Sequence, residues 1–128
     1  MVSAMNIALT GLNAATLRVA TSADNIANAH TTSDPKNNGG PYIPKDVVQT
    51  SQDTGGTIAS VVDSDKPPVT LYNPTHPDAD INGIVAFPNI DTAQELVNAS
   101  EAASAYKATL NIIKSQSNLY DTLFNAFA

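Results

Sequence analysis

The chain has 128 residues, which fits one domain, and its hydrophobic share of 42% is modest and rich in alanine. Twelve acidic residues against six basic ones give a net charge of −6, which argues against a nucleic-acid backbone or an anionic bilayer as a partner. There is no cysteine, so disulfides, thiolate nucleophiles and cysteine-ligated metals are excluded.

Residues 3–29 are predicted to form a first helix, because their larger side chains recur at alternating spacings of four and three. Such a seam is typical of a helix that packs against another helix, and it consists of Met5, Leu9, Leu12, Thr16, Val19, Ala23 and Ile26. Only Arg18 and Asp24 are charged in this segment, whereas a solvated helix normally carries Lys and Glu. We therefore expect neighbouring backbones to cover its outer faces, the alternative being a weakly amphipathic surface helix.

The first residues have neither a basic region nor a continuous apolar region, so no secretory signal peptide is predicted. No segment approaches the roughly 20 apolar residues of a transmembrane helix, and we expect no direct membrane insertion. Export, if it occurs, should then use a route that cleaves no signal.

The middle of the chain is predicted to be a long loop followed by a small β module. Residues 30–45 are rich in turn-forming Asn, Gly and Pro, and short β-like runs follow at 46–50, 57–63, 69–72 and 84–87. Gly55-Gly56 is a hairpin signal, and Asn82-Gly83 introduces the last run.

One acidic stretch in this module resembles a calcium loop. Asp78, Asp80 and Asn82 stand at positions one, three and five, with Gly83 at six. The twelfth position is Asn89, where a bidentate glutamate is required, and prolines precede the loop. We expect a turn that feeds a strand and predict no metal, although a small calcium-binding module remains an alternative.

The last segment, from Asp91 to the C-terminus, is predicted to form a long helix with a matching seam. Asp91 and Gln94 are expected to form a reciprocal capping pair at its start. The seam comprises Leu96, Ala99, Ala103, Tyr106, Leu110, Ile113, Ser117, Tyr120, Phe124 and Phe127. Ile112, Leu119 and Leu123 lie off it, so one partner helix cannot cover every apolar side chain. A wide core-facing stripe in an ordinary bundle is the alternative.

Nothing in the sequence indicates catalysis. His30 and His76 both lie in turn-rich stretches, without a nucleophile or a paired carboxylate at a recognisable spacing. We predict no catalytic residue, no cofactor and no enzyme activity.

Three separated stretches resemble the flagellar basal-body rod protein family, and in particular its proximal rod type. Asn25-Ile26-Ala27-Asn28 is similar to the Asn-x-Ala-Asn element that ends the first helix in that family. The most specific likeness is residues 72–80 running into Gly83-Ile84-Val85 and 88–91, and the third stretch is residues 95–98 and 105–108. The sequence departs from the family pattern at Ser104, Thr109 and Ile43-Pro44.

The resemblance implies a structural subunit of the bacterial flagellar rod in the periplasm, exported through the type III apparatus and assembled with itself and other rod subunits. The expected fold class is α+β, with long terminal helices pairing as a coiled coil around a small β-rich module. The expected units are residues 1–30 and 91–128 as rod core and 31–90 as the module.

The assembly interface is expected to include residues of both terminal helices. These helices are expected not to fold stably in the isolated monomer and to become ordered only within a polymer. Its expected members are Leu9, Leu12, Asn25, Ile26, Asn28, Leu96, Tyr106, Leu110, Ile113, Tyr120, Phe124 and Phe127. Asn25 and Asn28 are expected to bond to a neighbour's backbone. A cytoplasmic coiled-coil adaptor that uses the two seams alone is the other alternative.

Overall fold

The computed structural model describes residues 4–36 and 40–127. In chain order the elements are α1 (Ala4–Asn28), β1 (Lys45–Ser51), β2 (Thr57–Asp63), β3 (Val69–Tyr72), β4 (Ile84–Phe87) and α2 (Thr92–Phe127). The expected α+β architecture is confirmed, and the last three predicted strands have the predicted bounds. Residue 3, expected to start the first helix, and the turn expected at 37–39 lie outside the described residues.

The two helices pack against each other in antiparallel fashion. A Cβ atom on Gly11 would lie 3.8 Å from the Thr109 side chain, and seven residues further along α1 the Arg18 guanidinium lies 3.7 Å from the Glu101 carboxylate. As residue numbers increase along α1, the numbers of the α2 residues that they contact decrease, so the helices run in opposite directions. Neither helix, over its described residues, has an apolar stretch long enough to cross a bilayer.

The seam on α1 differs from the expected one at every second position. The positions that alternate in spacing and are buried or half-buried are Met5, Ala8, Leu12, Ala15, Val19, Ser22 and Ile26. Leu9, Thr16 and Ala23, which belong to the predicted seam, are exposed instead. Small side chains turn inward because they let two helix backbones approach closely, and a pattern of large apolar residues does not reveal this preference.

A second face of α1 contacts the β1–β2 hairpin, whose antiparallel register pairs Lys45 with Asp63 and Ser51 with Thr57. The Thr57 amide donates to the Thr10 hydroxyl at 3.1 Å. Gly56 lies so close that a Cβ atom there would be 2.5 Å from the same hydroxyl, and its φ is +92°. The glycine pair of the hairpin thus serves both the turn and the contact with the helix.

The β module consists of two separate two-stranded sheets. In the second, Val69 pairs with Phe87 and Tyr72 with Ile84, and Ser33 from the loop after α1 forms a further bridge to Ala86. Val85 is fully buried, so the small core of the module lies along β4.

Candidate assembly interface

The end of α2 has no α1 alongside it. α2 contains 36 residues and α1 contains 25, which corresponds to roughly 54 Å against 38 Å. Since Gly11 faces Thr109, the start of α1 at Ala4 lies near residue 116 of α2. Residues 117–127, which we call the overhang, are exposed at every position.

The overhang is strongly two-sided. Successive residues of a helix are rotated by about 100°, which places its five large apolar side chains on one half of the surface. These are Leu119, Tyr120, Leu123, Phe124 and Phe127, with exposed fractions from 53% to 89%. The other half carries Ser117, Asn118, Asp121, Thr122 and Asn125. An isolated subunit therefore leaves a continuous apolar face in contact with water.

Eleven of the twelve expected interface residues fall into two groups, and the twelfth, Asn25, is buried. Leu12, Ile26, Asn28, Leu110 and Ile113 are half-buried between the elements of one chain. Exposed positions, open to a neighbour, are Leu9, Leu96, Tyr106, Tyr120, Phe124 and Phe127. The residue most deeply buried on α2 is Ala102, at 0% exposure. The predicted seam of α2 does not include it, because that seam runs through Ala99 and Ala103 and Ala102 lies one position beside it.

Only one half of the expected reciprocal capping pair is present at the start of α2. The Asp91 carboxylate accepts from the backbone amides of Ala93 and Gln94, at 3.0 and 3.1 Å. The Gln94 side chain donates forward to Asn98 at 3.1 Å, whereas a reciprocal pair needs it to reach back to Asp91. Asp91 is therefore an N-cap without the expected partner.

Asn25 has a role inside the chain that differs from the expected one. It is 1% exposed, its Nδ2 donates to the Lys45 carbonyl at 2.8 Å, and its Oδ1 accepts from the Lys45 amide at 2.9 Å. Oδ1 also accepts from the Tyr42 hydroxyl at 3.0 Å. Donor and acceptor of the amide are thus used within the subunit, and the expectation that they bond to a neighbour's backbone is corrected. Asn28 likewise donates within its own helix, to the Asp24 carbonyl.

The Asn25 contacts fix the start of β1 against α1. An amide that pairs with both backbone groups of one residue imitates a strand partner. Burial raises the pKa of the Tyr42 phenol, and the negative charges of Asp24 and Glu95 raise it further. The phenol therefore remains a hydrogen-bond donor at neutral pH.

Asp80 organises the turn before β4. Its Oδ1 accepts from the backbone amides of Asn82 and Ile84 at 2.8 and 2.9 Å, and Oδ2 lies 3.3 Å from the Lys36 ammonium. The hydrogen bond from the backbone amide of Ile84 is the main reason that the pKa of Asp80 is lowered, and the hydrogen bonds from Asn82 and Lys36 act in the same direction. Asp80 and Asn82 are also two of the three residues of the alternative calcium loop.

In the structure the carboxylates of Asp78 and Asp80 accept hydrogen bonds from groups of the protein itself. Asp78 accepts from the Thr32 hydroxyl, so the loop after α1 is tied to the turn at two points, Thr32 to Asp78 and Lys36 to Asp80. Within residues 4–36 and 40–127, no group of three or more His, Asp or Glu side chains is arranged to hold a metal ion.

Together, the paired terminal helices and the uncovered overhang define a structural protein whose apolar surface is incomplete in a single chain. No protein-family model matches the sequence. The flagellar basal-body rod protein FlgC of Salmonella typhimurium is 36% identical, over 88% of this chain and 87% of the relative. FlgC of Yersinia enterocolitica is 34% identical over 93% and 92%, and that of Borreliella burgdorferi 33% over 92% and 91%. The chain therefore belongs to the FlgC family of flagellar basal-body rod proteins.

We expect Asn25→Ala to lower the free energy of unfolding by about 2–5 kcal/mol, because it removes both hydrogen bonds to the backbone of Lys45 and leaves a cavity at a buried position. Urea unfolding followed by circular dichroism measures the change. Asn28→Ala, which removes a single bond within α1, is the matched control and should cost no more than about 1 kcal/mol. Equal losses in the two variants would contradict the internal role of Asn25.

A second prediction concerns pH. Because the pKa of Asp80 is lower in the folded chain, its contribution to stability is complete above the unfolded value near 3.8 and is lost as the pH falls through the folded value. The melting temperature of Asp80→Asn should therefore decrease less steeply than that of the native chain as the pH is lowered into the acid range. Asp53→Asn, in the exposed hairpin turn, is the charge-matched control. An unchanged acid limb in Asp80→Asn would show that the carboxylate is not held as described.

Proposed function

We propose that the chain is a structural subunit of the proximal flagellar rod, polymerising through its terminal helices and transmitting motor torque across the periplasm. Family membership supports a structural role in the basal body, since the relatives are named as rod proteins. Assembly through the terminal helices is supported mainly by the overhang, because its apolar face lacks a partner among the described residues.

Three segments of the subunit are proposed to have different structural roles. Residues 1–30 and 91–128 form the rod core, and 31–90 form a module attached to it. Two contacts support a firm attachment, because Asn25 pairs with Lys45 at the start of β1 and Thr10 bonds to Thr57 at the start of β2. Load applied to the hairpin would thus reach α1 directly.

The proposed partners are further copies of the chain, other rod subunits and the type III export apparatus, which would carry it without cleaving a signal peptide. The family name supports the rod partners, and the net charge of −6 supports the exclusion of nucleic acid and of an anionic membrane surface. A role without catalysis agrees with His76, whose Nδ1 accepts from the Asp78 amide as part of a turn.

Ordering on assembly is proposed to concern the overhang above all. α1 and the first two-thirds of α2 cover each other, whereas the overhang has only its own backbone bonds to offset the entropy of ordering each residue, about 1–2 kcal/mol. An isolated helical segment of this length is marginal in water. Contacts with a neighbour would supply the missing stabilisation.

The proposed assembly is tested by introducing a charge on each side of the overhang. We expect Phe124→Asp to abolish swimming, because it places a carboxylate on the apolar face, where desolvation without a partner is costly. Thr122→Asp lies on the polar half of the same segment and should leave swimming close to normal. The readout is motility in soft agar together with the amount of the chain in purified basal bodies. Normal motility in Phe124→Asp would refute assembly through this face.

Hydrogen exchange tests the coupling between order and assembly. In dilute monomer the amides of residues 117–127 should exchange at least about tenfold faster than those of 99–113, because only the latter are packed against α1. In isolated basal bodies both segments should be protected. Equal protection of the two segments in a monodisperse monomer would show that the overhang needs no partner.

A further inference from the structure

A shallow groove runs between α1 and α2, on a different face of α1 from the β1–β2 hairpin. It is lined by Thr16, Val19, Ala20, Ala103, Tyr106 and Lys107. Apart from Lys107 at its rim, the lining is uncharged, and Ala20 and Tyr106 are exposed. The groove is thus an apolar surface in the middle of the helix pair that nothing in the described part of the chain fills.

The overhang cannot fill the groove of its own molecule. Since Arg18 lies beside Glu101, Ala20 lies near residue 99 of α2, and Leu123 is 24 residues further along the same helix, roughly 36 Å away. α2 is continuous from Thr92 to Phe127 and does not fold back. The two surfaces can meet only between different molecules.

We propose that the overhang of one copy lies in the α1–α2 groove of a second copy, a contact that rests on the proposed function. Both surfaces are apolar and nearly free of charge, so neither requires a charged partner. The one charge on the overhang is Asp121 and the one charge on the groove is Lys107, of opposite sign. Among the described residues neither takes part in an ion pair.

The geometry of this contact produces an open assembly. Overhang and groove are different patches of the same molecule, so each copy can donate one and accept the other. Such a head-to-tail contact continues from copy to copy, unlike a two-fold contact, which closes on itself. The Lys107–Asp121 pair at the rim would fix register more than it adds affinity.

Engineered cysteines test the contact directly, since the natural chain has none. Leu123→Cys is combined with Ala20→Cys or, one helical turn away, Thr16→Cys, and each variant replaces the native chain in motile cells. Oxidation of isolated basal bodies should yield dimers and longer ladders, with the 123–20 or 123–16 disulfide identified by mass spectrometry. The large separation within one chain excludes an intramolecular bond.

Two control pairs calibrate this result. Gly11→Cys with Thr109→Cys should close within one chain, because these positions already adjoin. Asn118→Cys with Ala20→Cys, on the polar half of the overhang, should give at least about tenfold less dimer. Basal bodies that contain the 123–20 and 123–16 variants and form neither disulfide would overturn the inference and leave the proposed function intact. A photocrosslinker attached to the Leu123→Cys thiol that labels a different rod protein, and no second copy, would do the same.

A charge exchange covers the case in which a cysteine variant does not assemble. Lys107→Asp and Asp121→Lys should each reduce motility, with pairing weakened about fivefold, and the two changes together should restore it. Lys66→Asp, on the exposed loop before β3, should have no effect. Failure of the double variant to recover beyond the single ones would overturn the proposed pairing.

Discussion

Close approach of two helix backbones is the constraint on which the rest of the subunit depends. Ala8, Ala15 and Ser22 on α1 and Ala102 on α2 are buried, and a side chain at Gly11 would come within van der Waals distance of Thr109. Larger residues at the buried alanine and serine positions would separate the helices. Because small side chains form this contact, it buries little apolar surface. Bulky side chains of both helices, among them Leu9, Leu96 and Phe124, therefore remain exposed on the outer faces.

The helix pair also determines where the β module stands. The same α1 that meets α2 through one face holds the first hairpin through another, by the hydroxyl of Thr10 and the amide of Asn25. The second sheet is attached differently, through Ser33 at β4 and through Asp80, whose charge is balanced by Lys36. A short segment of sequence after α1 therefore links the second sheet to the helix pair.

Much of this fold could be predicted from the sequence because turn chemistry marks the strands. Gly55-Gly56 directly precedes β2, Pro67-Pro68 precedes β3 and Asn82-Gly83 precedes β4, and these three strands have their predicted ends. The seam on α1 could not be predicted, because close packing selects the small side chains of Ala8, Ala15 and Ser22. The spacing pattern does not distinguish these positions from the ones directly after them. The partner of Asn25 lies 20 residues away in the chain, and only the tertiary structure brings it there. The predicted helix lengths indicate that α1 is too short to cover all of α2, but only the antiparallel packing shows that the C-terminal end of α2 is left uncovered.

The scarcity of charge on α1 has a consequence for the conditions under which the subunit can work. Arg18 and Asp24 are its only charged residues between Ala4 and Asn28, and Arg18 already pairs with Glu101. Contacts between exposed charges weaken as salt shortens the Debye length, from about 10 Å at 0.1 M to 3 Å at 1 M. Apolar contacts and neutral hydrogen bonds are not screened in this way. Surfaces built on α1 should hold nearly constant strength while the ionic strength around the cell rises and falls.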